Sequence, residues 1–352
     1  MGSVLVLNAG STSLKLNLVS ESEESERLPS LDGVDPAGID AVAHRVVHGG
    51  SRFRAPALVD DDVLAAIADL RTLAPLHNAP ALRELEAARR RYPQLPHVAV
   101  FDTAFHATIP PAAATYAVPR RWREEWGVRR YGFHGLSVEW SVQRAPAVVG
   151  RGPAGLRIVV CHLGGGTSVT AVADGRSCDT TMGYSPLEGV PMATRSGSVD
   201  PGALVAVMRR PGMDADALDH ALNEESGMRG LAGGDGLMLE LERQAGGGDE
   251  AARLAIDVYV HRVAGAVAAM AAAAGGVDVL VFTAGIGERS AAVRSAVCGR
   301  LAFLGVALDA GRNAAADGDG DISAPGAPVR VAVVTAREEL VAARAARSVL
   351  AG

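Results

Sequence analysis

Two stretches of the chain share one architecture, and that repetition limits the folds open to it. "VLVLNAGSTSLKLNLV" (Val4–Val19) and "IVVCHLGGGTSVTAVADG" (Ile158–Gly175) each read as an apolar strand, a turn of small residues and a second apolar strand. Each opens one half of a 352-residue chain, a length beyond what one ordinary core supports. The reading is two similarly built domains facing each other. Between the hairpins, "AVAHRVVHGG" (Ala41–Gly50) predicts a strand and "DDDVLAAIADL" (Asp60–Leu70) a helix with an acidic first turn. Asn78 is placed to cap a helix over Pro80–Arg91, and "HVAVFDTAF" predicts a buried strand with Asp102 at its C-terminal end. The Gly/Pro-dense "GRGPAG" (Gly150–Gly155) marks a junction, giving domains 1–149 and 150–338, with a C-terminal helix 339–352 packing back on the first.

Composition narrows the function classes. Net charge is −6 with pI near 5.9, and the longest basic run is Arg89–Arg91, which argues against nucleic acid as a partner. Cys161, Cys178 and Cys298 form neither a disulfide framework nor a zinc spacing, so a reducing cytoplasm is the expected compartment. No signal peptide is expected, and Val6 stands where a myristoylation start needs Ser or Thr. The apolar run Val263–Val277 is shorter than the roughly 20 residues of a spanning helix, so no membrane partner is expected. "HRVVH" (His44–His48) lacks the Glu of a zinc helix, and its valines favour a strand.

The two Gly/Ser/Thr turns suit anions, because glycine lets backbone N–H groups approach and hydroxyls add donors. Of 34 basic side chains, 33 are Arg, and the single Lys is Lys15, just past the first turn. Lys is a compact point charge, suited to the crowded side of a phosphate. A third loop, "VDVLVFTAGIGERSAAVR" (Val277–Arg294), predicts a buried strand, a Gly-rich turn and a helix; it fails the dinucleotide fingerprint but suits phosphate or ribose. No Walker A sequence is present. Arg195 lies among small residues in "LEGVPMATRSGSVDPGAL", where an Arg meant for a ligand is expected.

Ten collinear stretches carry a resemblance to the acetate kinase family, short-chain acyl kinases of the sugar kinase, Hsp70 and actin superfamily. They are "VLVLNAGSTSLK", "VAHRVVHGG", "APLHN", "VFDTAFHATIP", "YGFHG", "CHLGGGTSV", "TTMGYSPLEGV", "TRSGSVDP", "FTAGIGE" and "EELVAAR". The resemblance implies an α/β fold of two actin-like (ribonuclease H-like) domains, an interdomain cleft and a homodimer. It implies transfer of the γ-phosphoryl group of ATP to a short-chain carboxylate, with Mg²⁺ (Mn²⁺ as the alternative metal) and ATP/ADP as co-substrate. Such an acid is already ionised at neutral pH, so the obstacle is bringing an anion against a polyanion. Cations should then outnumber bases in the site.

By that resemblance Arg45 would hold the substrate carboxylate, with Val47, Leu76 and Pro186 lining a small acyl pocket. Arg195 and His134 would stabilise the transferring phosphoryl group. Asp102 matches the essential acid/base position; on physical grounds its task is orienting Arg or metal-bound water. Asn8 and Glu338 would position the metal. Lys15, His162, Leu163, Gly164, Gly165, Gly166, Leu237, Met238, Leu239, Gly285, Ile286, Gly287, Glu288 and Arg289 would meet nucleotide and phosphate. On residue type alone plainer readings stay open: a strand arginine at 45, a structural acid at 102, a helix cap at His77, a turn histidine at 162.

The chain departs from the family pattern on the nucleotide side. Gly165 stands where Asn is usual, Leu237–Met238–Leu239 replaces an Asp-aromatic/Met-Arg triplet, Arg289 and Arg337 replace Asn, and Val138 replaces a His. These changes keep two rivals in view: a homologue with another donor such as pyrophosphate or another acid, and a non-catalytic sensor of phosphate ligands.

Overall fold

The computed structural model describes residues 2–9, 14–70 and 75–352, with side chains throughout except at 75–77. The turn residues 10–13 of the first hairpin and the Leu76 and His77 side chains thus lie outside the described residues. The chain divides into two compact units. Unit 1 is 1–107, 133–140 and 337–352; unit 2 is 108–132 and 141–336.

Unit 1 holds β1 (Ser3–Ala9), β2 (Leu14–Val19), β3 (Ser25–Leu28), β4 (Ile39–Val46), β5 (Ala57–Leu58) and β6 (His97–Phe101), in the order β3-β2-β1-β4-β6-β5. Unit 2 holds β7 (Arg157–Leu163), β8 (Thr167–Ala173), β9 (Arg176–Thr180), β10 (Val279–Thr283), β11 (Gly320–Asp321) and β12 (Arg330–Val333), in the order β11-β12-β10-β7-β8-β9. Read outward from β1 and from β7, the two orders are the same. The senses agree as well. Each central strand pairs antiparallel with its hairpin partner and parallel with the strand that follows the meander. The outer pairs match too, down to the short antiparallel edge strand. The repetition expected from two hairpins thus extends over two whole α/β sheets.

Both faces of the unit 1 sheet are covered, which is why its strands read as nearly continuous apolar runs. Val4 and Val6, with Ala41, Ala43, Val98 and Val100, pack against helix Glu338–Ala351 through Leu340, Val341, Ala343 and Ala346. Leu5 and Leu7, alternating to the other side, meet Ala88 and Tyr92. In unit 2 the apolar helix is Glu250–Ala273, longer than the run that announced it. It is long and apolar enough to cross a bilayer by length and composition. Its Tyr259, Val260, Val263 and Val267 instead join β7, β8 and β10 in the core, so its apolarity is used by the sheet.

Three local expectations are corrected. The strand at 41–50 ends at Val46, and the helix that Asn78 was to cap begins earlier, at Pro75. Both corrections share one cause. Asn78 accepts from His48 N–H at 3.0 Å and donates to His48 C=O at 2.9 Å, so its side chain straps the loop after β4. The Gly-rich turn after β10 is itself a short helix, Ala284–Arg289, entered through Ala284 at φ 64°.

Candidate active site

In unit 1 the candidate residues stand where an apolar face runs out. On the face covered by helix Glu338–Ala351, β1 reads Val4, Val6, Asn8; β4 reads Ala41, Ala43, Arg45; and β6 reads Val98, Val100, with Asp102 next. Register aligns these changes. Asn8 lies opposite Lys15 on β2 and opposite Arg45 on β4. Lys15, Asn8 and Arg45 therefore form one row across three strands, at the carboxyl ends of parallel β1 and β4, where open α/β sheets place ligands.

Hydrogen bonds link the row. Arg45 grips Asp102 with both Nε, at 2.9 Å, and Nη2. Its Nη1 donates to Asn8 Oδ1 at 3.0 Å, and Asn8 Nδ2 donates to Glu338 Oε2 at 2.9 Å. Glu338 is the first residue of its helix, which brings a carboxylate to the polar end of the face that the same helix buries. The His134 backbone N–H also donates to Asp102, while Gly135 N–H donates to Asp102 C=O at 3.0 Å.

That close approach explains "FHG". A Cβ on Gly135 would sit 2.1 Å from Asp102 O, so only glycine fits. His134 is held at φ 60°, a strained conformation for a non-glycine residue, immediately before helix Gly135–Val148. Burial pushes the Asp102 carboxyl above its usual range against the pull of Arg45, and the Glu338 charge adds to the rise. Burial disfavours the Arg45 cation as well, but Asp102 and Glu338 outweigh it and hold the guanidinium protonated.

Two carboxylates around one guanidinium leave one negative charge in excess, beside an amide oxygen. That donor set fits a hard divalent cation held through one or two carboxylates and water. Among the described residues no group of three or more His, Cys, Asp and Glu forms an all-protein cage.

In unit 2, His162 near the end of β7 lies in register with Thr283 of β10 and Ser168 of β8. The loop Gly164–Gly166 follows. A Cβ at Gly164 would meet Gly166 O at 3.3 Å and Ala284 Cβ at 3.6 Å, so this loop abuts the one carrying Gly285, Ile286, Gly287, Glu288 and Arg289. Gly165 O accepts from Ala193 N–H at 3.3 Å, which ties in the Arg195 segment. That segment is fixed from behind by Met228 N–H on Met192 O and Ser226 N–H on Thr194 O. Gly227 and Gly236 both have positive φ, and a Cβ on either would lie 2.2 Å from the segment's carbonyls. Burial lowers the pKa of Arg195, with Glu224 opposing.

Not every candidate shares this grouping. Leu163 and Met238 are buried in the core, so their side chains are not open to a ligand. Leu237 and Leu239 are 53% and 81% exposed. Pro186 is buried in the loop after β9, and Val47 is buried just after β4.

Other residues emerge only from the coordinates. Thr283 Oγ1 is buried with no hydrogen-bond partner among the described residues, beside His162. Arg294 is buried and donates to the carbonyls of Gly287 and Glu288 at 3.0 and 2.7 Å, and to Asn313, bracing the Gly285–Glu288 loop. "ERSAAVR" offered a helical arginine five residues past Arg289 but no sign that it turns inward.

The description "Acetokinase family" matches residues 32–344. An acetate kinase of Deinococcus deserti is 52% identical over 89% of this chain and 79% of its own. One of Leifsonia xyli subsp. xyli is 44% identical over the full length of both. Among solved structures, a propionate kinase from Francisella tularensis superposes with TM-score 0.91 at 34% identity, covering 98% of this chain and 99% of its own. Porphyromonas gingivalis acetate kinase gives 0.89 at 35%, covering 99% and 100%. The fold, the row of polar side chains ending its buried face, and these similarities agree: the chain belongs to the acetokinase family.

Proposed function

We propose that the protein is a carboxylate kinase that transfers the γ-phosphoryl group of ATP reversibly to acetate or another short-chain acid. The observation that carries this reading is the joined set Asn8, Arg45, Asp102, His134 and Glu338, with Lys15 in the same row, in a member of the acetokinase family. An acid of this type arrives as the nucleophile, so no strong base is required. Arg45 binds the acid's carboxylate, and its grip on Asp102 sets the plane of the guanidinium. Asp102 acts as a positioning residue and moves no proton. His134 and Arg195 neutralise charge growing on the equatorial oxygens, and Lys15 meets the donor phosphates. Asn8 and Glu338 would hold Mg²⁺, which when bound offsets phosphate charge and orients the donor.

The loop Gly164–Gly166 and the short helix Ala284–Arg289 receive the nucleotide. Val47 and Pro186 limit the acid to a short chain. We also propose a homodimer, supported by helix Pro201–Met208, which buries none of its residues and exposes Val205, Val207 and Met208. A reducing cytoplasmic setting is supported by three unpaired cysteines. The functional reading is tested in reverse: acetyl phosphate plus ADP and Mg²⁺ should yield ATP, read by luciferase. Absence of ATP with acetyl, propionyl and butyryl phosphate alike would refute it.

A further inference from the structure

The loop that leaves β9 is closed by a clamp of three side chains. Arg130 Nη1 donates to the successive carbonyls of Thr180, Thr181 and Met182 at 2.6, 3.1 and 3.2 Å. Its Nη2 donates to Glu188 Oε1 at 3.0 Å, at the loop's far end. The Tyr116 hydroxyl donates to Glu188 Oε2 and accepts from Tyr184 N–H at 3.0 Å. The Arg130 guanidinium lies over the Tyr116 ring, 5.6 Å from its centre. Residues 184–188 are thus held at both ends, with Pro186 buried between them. Gly183 makes room for the clamp, since a Cβ there would collide with Glu188 and with the Tyr116 hydroxyl.

The same loop continues to Gly189, which donates to Ser198 Oγ at 3.1 Å and accepts from Ser198 N–H at 2.8 Å. Ser198 is three residues past Arg195. One short path therefore connects the residue assigned to size the acid with the residue assigned to the transferring phosphoryl group. Its rigidity depends on polar groups whose cost, if left unpaired, is high in a buried setting.

We propose that the Arg130–Glu188–Tyr116 clamp determines acyl chain-length selectivity, holding Pro186 so that two- or three-carbon acids fit and longer ones do not. The inference rests on the carboxylate kinase reading. Tyr116, Glu188 and Arg130 are positioning residues that act through Pro186. Loosening the clamp admits longer acids and leaves the phosphoryl-transfer groups in place.

The test is Tyr116→Phe, which deletes one hydroxyl and keeps the ring under Arg130, beside Glu188→Gln, which keeps the shape and removes the charge. Values of kcat/KM for acetate, propionate and butyrate are measured at saturating ATP. The butyrate-to-acetate ratio should rise at least threefold in both variants, through a lower KM for butyrate, with kcat for acetate within about threefold of wild type. An unchanged ratio in folded, active variants overturns the clamp while leaving the kinase reading intact. A wild-type protein inert toward all three acids overturns both. If Glu188→Gln fails to fold, the Tyr116→Phe ratio alone decides.

Discussion

Arg45 on β4 and Asp102, the residue just past the end of β6, meet side by side, guanidinium Nε and Nη2 against the two carboxylate oxygens. Asp102 is buried and Arg45 largely so, and Arg45 also donates through Nη1 to Asn8. A planar fork is needed for this arrangement, and a point charge cannot reproduce it.

Arg45→Lys should therefore separate binding from folding. The variant keeps a cation but loses the bidentate grip, so KM for the acid should rise more than tenfold. Asp102→Asn should cost more, on the order of 3–5 kcal/mol of stability, because it removes the bidentate counter-charge of a largely buried guanidinium. Steady-state kinetics and urea melts report the two effects independently.

Lys15 is exposed and sits opposite Asn8. Lys15→Met should leave the melting temperature within about 1 °C, since surface substitutions seldom matter to stability. KM for ATP should rise at least tenfold. A KM equal to wild type would remove the lone lysine from the phosphate site.

Arg195→Ala should lower kcat by at least a hundredfold, since a group that stabilises transition-state charge acts on turnover more than on substrate KM. Circular dichroism should show the fold retained, because Met192–Thr194 is fixed by backbone bonds that the substitution leaves alone. A kcat near wild type would exclude the role.

Acid should unfold the protein through histidines outside the site. His97 Nε2 donates to Tyr92 C=O, so His97 Nδ1 must accept from His44 Nε2 at 2.8 Å, and both rings are neutral. Burial holds His44 down to about 3, lowers His97 as well, and holds His106, bonded to Phe133 C=O, down to about 4. With folded-state pKa values below the unfolded value near 6.5, stability is complete above about pH 6.5. Below it the unfolded chain takes protons that the folded chain refuses. Each histidine then removes up to about 1.4 kcal/mol per pH unit until its folded pKa is reached. His106→Gln should flatten the slope measured by urea melts between pH 6 and 4.5.

Much of this was legible in order and spacing. The paired hairpins announced a duplicated sheet, because apolar strand, small turn and apolar strand are local features that each segment carries by itself. Asp102 was readable as the polar end of an apolar strand, whereas Asn8 and Arg45 were marked out by the family resemblance. What escaped were contacts between residues far apart in sequence. Asn78 looked like a cap, yet its amide is used on His48, thirty positions away. Nothing in the order of residues pairs Arg130 with Glu188, and only the folded loop shows them closing on each other. The GIGE turn read as loop because glycines rarely nucleate helix, and Arg294 bracing its carbonyls from beneath is what makes it helical.

The most direct measurement is hydroxylamine trapping of acyl phosphate from acetate, ATP and Mg²⁺, with pyrophosphate replacing ATP in a parallel arm. The account predicts acetyl hydroxamate that depends on ATP and on acetate, with at least a hundredfold loss in Arg195→Ala. Folded protein that forms no hydroxamate from acetate, propionate or butyrate, or that forms it faster from pyrophosphate than from ATP, would contradict the account.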